Sequence, residues 1–357
     1  MYVTNNPSEA YHSFIPENLP LLDFLIKTPL IISDLLIGLL LFKIIKKLGK
    51  EERAQRYLCM WIFNPYVIFI SAVWGMFDSL PTLFTLLAVW LFLEEKYEKS
   101  AISLAVATLF KIYPIIFAPI FVLSYYKRGG KTVDAIKYFM VTLGLIFLVM
   151  FLFNFCFALI FGQEPFNTSI IVIWQLFKGR ASPDWYGSNI FFGLTPLAVL
   201  SNVFKELKIE ANIPISPILL GFAIVALLFK ISREKNLNSI KLFSYIAAAH
   251  LIIYLTYTVV NEQYLVWVLP FLLVLSAGKK EAKMELVYWI ISVMSLLFIF
   301  AHYRDLSYFI SPYYVQGYIK FLPDLAAFGI TAAVIYLLGI MFILKRKENM
   351  GRAEKLV

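Results

Sequence analysis

Apolar residues in this chain fall in long runs, separated by short polar stretches that carry most of the charge. An α-helix needs roughly 20 such residues to cross a bilayer. Backbone polar groups inside lipid must be satisfied within helices or closed barrels. Nine runs predict full spans: Pro29–Ile45, Tyr57–Val73, Leu80–Leu93, Ile136–Ile160, Ile215–Phe229, Leu242–Val259, Tyr264–Ala277, Leu286–Phe300 and Leu325–Leu344. A further run, Ala101–Tyr126, is interrupted by "KIYP" at Lys111–Pro114. Pro114 lacks a backbone donor, so the break predicts a site packed against protein or water rather than lipid.

Composition narrows the class. Of 357 residues, 61% are hydrophobic and 15% charged, against about 25% charged in a soluble domain. Mean hydropathy is +0.77. One soluble core could not bury so much apolar helix. The net charge of +9 is dispersed in clusters between apolar runs, which excludes a nucleic-acid-binding stripe and implies membrane lipids as surroundings. Cys59 and Cys156 both lie in apolar segments and read as packing residues. The first 28 residues lack a cationic n-region followed by an apolar core, so no cleavable signal is expected there and the first span inserts as its own anchor.

The cations set the sidedness. Six clusters, Lys43–Arg56, Lys96–Lys99, Lys127–Lys137, Lys230–Lys241, Lys279–Lys283 and Lys345–Lys355, hold 24 of the 32 Lys and Arg. Excess Lys and Arg marks the cytoplasmic side. All six lie inside only if Ala101–Tyr126 enters and leaves on one side, as a broken, re-entrant hairpin of two short helices with Lys111 at its tip. The expected fold is therefore all-α: a polytopic integral membrane protein with about nine full spans plus the hairpin, N-terminus out and C-terminus in. It divides into an external tail (1–28), an N-terminal membrane module (29–160), a long external loop (161–214), a C-terminal membrane module (215–344) and a cytoplasmic basic tail (345–357). Within the loop, Asn189–Phe204 is apolar but short and Pro-broken, and reads as an interfacial or re-entrant helix.

Candidate chemistry begins at Asp78. It is the lone charge in the 37 residues Tyr57–Leu93. That length suits two spans, with Asp78 at the external bend. One reading is a residue capping the next helix, which Pro81 opens. The other is a functional carboxylate at the membrane face. The further external acids within reach are Asp34, Asp184, Glu262 and Asp305, and the candidate phosphate cations are Lys178, Arg180 and Arg304. Asp34 sits inside the first span, with structural pairing as the alternative. Glu262 lies at a short turn, where a solvated hairpin competes with a site in which Gln263 and Tyr264 order a sugar hydroxyl. Lys111 either neutralises a lipid phosphate or pairs with Asp34 or another buried acid. His250 reads as a neutral, hydrogen-bonded core residue. Trp74, Trp267 and Tyr264 fall near the external boundary, where an aromatic belt is expected.

"WIFNPYVIFISAVWGMFDS", then "VATLFKIYPIIFAPIF", then "TVVNEQYLVWVLPFLLV" follow in order along the chain. With "TPLIISDLLIGLLLF" and "FKGRASPDWYG" they resemble the glycosyltransferase C superfamily, and most nearly its GPI mannosyltransferase catalytic subunits and archaeal relatives. The resemblance runs from Pro29 to Val274. It implies an inverting enzyme that uses a polyprenyl- or dolichyl-phosphate sugar as donor and a lipid-linked or surface glycan as acceptor. A hexose, mannose first, would move at the external or luminal face. The membrane would be the plasma membrane in a prokaryote and the endoplasmic reticulum in a eukaryote. Such transfer needs a carboxylate base and positive charge for the phosphate; a divalent Mg or Mn ion is a candidate cofactor. The family also carries an additional first span and a first external loop with paired acids. Here Met1–Lys27 offers Glu9, Glu17 and Asp23 and no close pair. The expectation is either a truncated start or a variant that uses other acids. Two alternatives stand beside the enzyme: a transporter or flippase for lipid-linked sugars, and a non-catalytic paralogue or partner of such a transferase.

Overall fold

A computed structural model describes residues 19–164, 166, 170–171, 192–193, 215–234, 237–257, 259–279, 282–302 and 321–353. Each of the nine expected runs is mainly helical, with a break at Phe63–Asn64 in the second and Val259 of the sixth in a strand. The described residues open with α1 (Leu19–Lys47) and α2 (Glu51–Ile62). A short α3 (Pro65–Ile68) continues as a π-helical turn, Phe69–Val73, and leads to α4 (Ser79–Leu93). The broken run forms α5 (Tyr97–Phe110), a 3-10 turn (Tyr113–Phe117) and α6 (Ala118–Lys127), followed by α7 (Thr132–Ile160). The second half holds α8 (Ile215–Ser232), α9 (Ser239–Thr256), a 3-10 segment (Glu262–Trp267), α10 (Leu269–Lys279), α11 (Ala282–His302) and α12 (Phe321–Ala353). Phe192–Gly193 (β1) and Val259–Val260 (β2) make a two-residue parallel bridge.

Among the described residues four helices, α1, α7, α9 and α11, are individually long and apolar enough to cross a membrane. The pair formed by α2 and the α3–π segment, bent by 43°, makes a fifth span if taken as one, and four other apolar helices are shorter. α7 leaves most of its apolar surface exposed, Phe153 and Ile160 among it. In water that surface would be untenable; against lipid it costs nothing. The chain is an integral membrane protein. Its core runs along α9 and α10, whose side chains are buried through most of their length.

Two expectations change. The first described helix includes Leu19, ten residues before Pro29, so part of the expected external tail is helical. Pro29 lies inside the helix; the Thr28 hydroxyl bonds Phe24 O at 2.6 Å and the Ser33 hydroxyl, one turn on, bonds Pro29 O at 2.8 Å. The expected interfacial helix at Asn189–Phe204 is extended where it is described, at Phe192–Gly193, because those backbone groups pair with Val259–Val260.

The hairpin has the expected form. Ser100 Oγ donates to Ala88 O at 2.7 Å and Ser103 Oγ to Phe84 O at 2.8 Å, so α5 runs antiparallel to α4. After the break α6 returns: Phe121 packs on Phe92 at 5.1 Å and Tyr125 meets Tyr97 edge-on at 4.6 Å. The run therefore enters and leaves at one end of the bundle.

Ion pairs gather the cation clusters at that same end. Lys47 pairs with Glu94, Lys137 with Glu98 and Arg56 with Glu285, each at 2.5 Å. Lys47 thereby holds the Glu94 carboxyl below its usual range. Gly278 closes the set, since a Cβ there would come within 2.5 Å of Ile240 Cδ1. Five of the six cationic clusters thus meet, and the side chains of Lys345–Lys355 lie outside the described residues.

Candidate functional site

The opposite end of the bundle is built around Asp78. α4 is about 22 Å long, which sets Asp78 that far from the Lys47–Glu94 pair at its other end. The approach to it is shaped by three local features. Asn64 breaks the second span: its Oδ1 accepts from Tyr66 N at 2.9 Å and Val67 N at 3.3 Å, replacing the helix bonds that Pro65 interrupts. Its Nδ2 donates to Tyr288 Oη at 2.6 Å and Ser292 Oγ at 2.8 Å on α11. The π turn then ends on Gly75, whose φ of +78° lets Met76 N reach back to Ile70 O at 2.9 Å. Such a left-handed stop favours glycine.

Asp78 does not cap α4 through its side chain. Its carboxylate turns into the bundle and is 1% exposed. Oδ1 accepts from Lys111 Nζ at 2.5 Å and from Trp267 Nε1 at 2.7 Å. Oδ2 is buried and, among the described residues, has no hydrogen-bond partner. Lys111 reaches Asp78 because α5 stops there: its backbone is extended, with φ −149° and ψ 139°, at the break before the 3-10 turn. The break is thus packed against protein.

Aromatic rings enclose the pair. Lys111 Nζ lies 4.2 Å from the Tyr264 ring centre, 4.9 Å from Trp267 and 5.2 Å from Phe77. Tyr113 stacks on Trp267 at 3.7 Å and 9°, and Tyr264 stacks on it at 4.2 Å and 22°. Ring faces attract an ammonium, and the stack holds the indole N–H on the carboxylate. Trp267 is buried rather than part of an interfacial belt. A narrow cavity of about 10 Å³ adjoins it, lined by His250, Tyr254 and Tyr264 among others, room for about one water. His250 is the expected core residue: it is buried, and Nδ1 lies 2.9 Å from Ile246 O.

Asp34 is one residue away through Ser79. Its oxygens accept from Ser79 Oγ at 2.6 Å and from Ser71 Oγ, while its backbone carbonyl accepts Trp61 Nε1 at 2.9 Å. It ties α1 to the π turn and to α4. Glu262 is 4% exposed, so the solvated hairpin is corrected. The 3-10 segment folds it inward, and its backbone carbonyl accepts the Tyr66 hydroxyl. Gln263 beside it is also buried. Lys178, Arg180 and Arg304 lie outside the described residues, as do Asp184 and Asp305.

The fold therefore brings Asp78, Lys111 and Tyr264 into contact, with Asp34 adjoining. Trp267, Tyr113, Ser71 and Ser79 are the partners that sequence reasoning did not assign to the site. Two signals pointed to them: Tyr113 lies inside the "KIYP" break, and Ser79 follows Asp78 directly. As for a metal, no three His, Cys, Asp or Glu side chains converge among the described residues. Asp78 and Asp34 are engaged by lysine, indole and hydroxyl donors, and Asp184 and Asp305 lie outside the described residues.

Comparison with known proteins agrees with the motifs. A family model described as GPI transamidase subunit PIG-U matches residues 10–183. GPI mannosyltransferase 1 of Candida albicans is 27% identical over 290 residues, covering 75% of this chain and 68% of that protein. The Gibberella zeae protein of that name is 34% identical over 88 residues, 24% of this chain and 21% of its own length. The Schizosaccharomyces pombe one is 24% identical over 286 residues, 76% and 71% of the two chains. Fold and matches together define a polytopic membrane protein, and the matches support the resemblance to the glycosyltransferase C superfamily. Within that superfamily the chain is similar to GPI mannosyltransferase 1.

Proposed function

We propose that the chain is a membrane mannosyltransferase that moves mannose from a polyprenyl- or dolichyl-phosphate donor to a lipid-linked or surface glycan. The observation that carries this reading is the Asp78 carboxylate, held by Lys111 and Trp267 on one oxygen and unpartnered on the other. The similarity to GPI mannosyltransferase 1 supplies the sugar. In the reaction Asp78 takes the proton of the acceptor hydroxyl. That oxygen bonds to the anomeric carbon from the side opposite the phosphate, so configuration inverts. The carbon–oxygen bond to phosphate breaks, and the electron pair leaves on the lipid phosphate. Lys111 offsets the developing charge. Asp34 is a positioning residue acting through Ser79. Glu262, Gln263 and Tyr264 order sugar hydroxyls, while Lys178, Arg180 and Arg304 guide the phosphate from the outer loops. The active face is external or luminal, away from the cation clusters, in the plasma membrane or the endoplasmic reticulum.

The test is transfer of labelled mannose from the lipid donor by the purified protein. Asp78→Asn should reduce turnover at least about a hundredfold, the scale of general-base catalysis. Unchanged turnover would remove Asp78 from the reaction. The match to the GPI transamidase subunit model supports a second reading: a non-catalytic membrane subunit, in which the sealed Asp78–Lys111 pair only staples α5 to α4. That reading requires no transfer from any lipid-phosphate sugar by the wild-type chain.

A further inference from the structure

The Asp78–Lys111 pair is asymmetric. The lysine side chain is 17% exposed and the aspartate 1%, so of the two residues the lysine is the one that reaches the surface. The ammonium is also held independently of Asp78, by the rings of Tyr264, Trp267 and Phe77 within 5.2 Å. A cation kept in a ring-lined site can change its anionic partner without leaving. Trp267 donates to the same Asp78 oxygen, so the carboxylate keeps one anchor when the lysine turns away.

We propose that Lys111 is an exchangeable counter-ion: the phosphate of a polyprenyl-phosphate lipid takes the ammonium from Asp78. The exchange seats the phosphate and removes the lysine from the carboxylate in one event, with Trp267 still donating to Oδ1. No covalent bond changes and the lysine keeps its proton. Before the lipid arrives, the pair is closed and Asp78 is shielded. This rests on the transferase reading for the identity of the lipid, but its test needs no sugar transfer.

The experiment measures equilibrium binding of a radiolabelled short-chain polyprenyl phosphate, without sugar, to the full chain in nanodiscs. Lys111→Gln should weaken binding by at least about tenfold, and Lys111→Arg should keep it within a few-fold. Asp78→Asn should tighten binding several-fold, because the competing anion is gone. A gain in affinity cannot come from misfolding, so Asp78→Asn carries the test even if Lys111→Gln does not fold. Asp78→Asn binding that is unchanged or weaker would overturn the exchange. Inorganic phosphate at millimolar concentration forms a second arm. If it competes with the lipid and responds to the same substitutions, the site takes a free phosphate and the lipid assignment fails. If it does not compete, the isoprenoid chain is required, as proposed. Opposite shifts in the two variants without sugar transfer would defeat the transferase reading alone. Transfer without those shifts would defeat only the exchange.

Discussion

Replacing Asn64 with Ala should loosen the bend that aims the Asp78 loop. Asn64 is fully buried, and its two ends do different work. Oδ1 accepts two first-turn N–H groups at 2.9 and 3.3 Å; losing such a cap costs about 1 kcal/mol. Nδ2 makes two interhelical bonds to α11. Bonds between membrane helices average about 0.6 kcal/mol each. The partners are not orphaned, because Tyr288 Oη still donates to Met60 O at 2.8 Å and Ser292 Oγ to Tyr288 O at 2.9 Å. The total is therefore about 2 kcal/mol, a factor of roughly 30 in the folded-to-unfolded ratio. Reversible unfolding in mixed micelles would measure it. Asn64→Ser should recover about 1 kcal/mol, since serine caps but cannot reach both α11 hydroxyls. The double cycle with Tyr288→Phe should show coupling of roughly 0.6 kcal/mol. A fully stable Asn64→Ala, or strict additivity with Tyr288→Phe, would refute the division of labour.

Two further outcomes follow from the same geometry. Trp267→Phe keeps the aromatic stack but removes the N–H donor to Asp78, so mannose transfer should show kcat reduced about tenfold with donor KM within about twofold; a change in KM alone would mean the indole serves binding. Gly75→Ala should lower stability by roughly 1–2 kcal/mol in the same micelle assay, because alanine at this positive φ is strained, whereas the 3.4 Å approach to Lys27 Cε is ordinary contact.

Much of this architecture was legible in the order of residues. The apolar runs located the helices, since lipid permits few other backbone states, and the grouping of Lys and Arg already required a hairpin at Ala101–Tyr126. "KIYP" marked the break, because proline cannot sustain the helix ladder. Asp78 was marked by its isolation. What its charge meets was not legible. Lys111 is 33 residues along and Trp267 is 189, and several cations and rings were equally plausible partners. Asp34, Glu262 and Trp267 show the same limit, since each could sit in a membrane helix, a solvated turn or a belt by its local sequence alone. Only packing chose between them: a buried carboxylate must find donors, and which donors stand within 3 Å depends on how helices far apart in the chain come together.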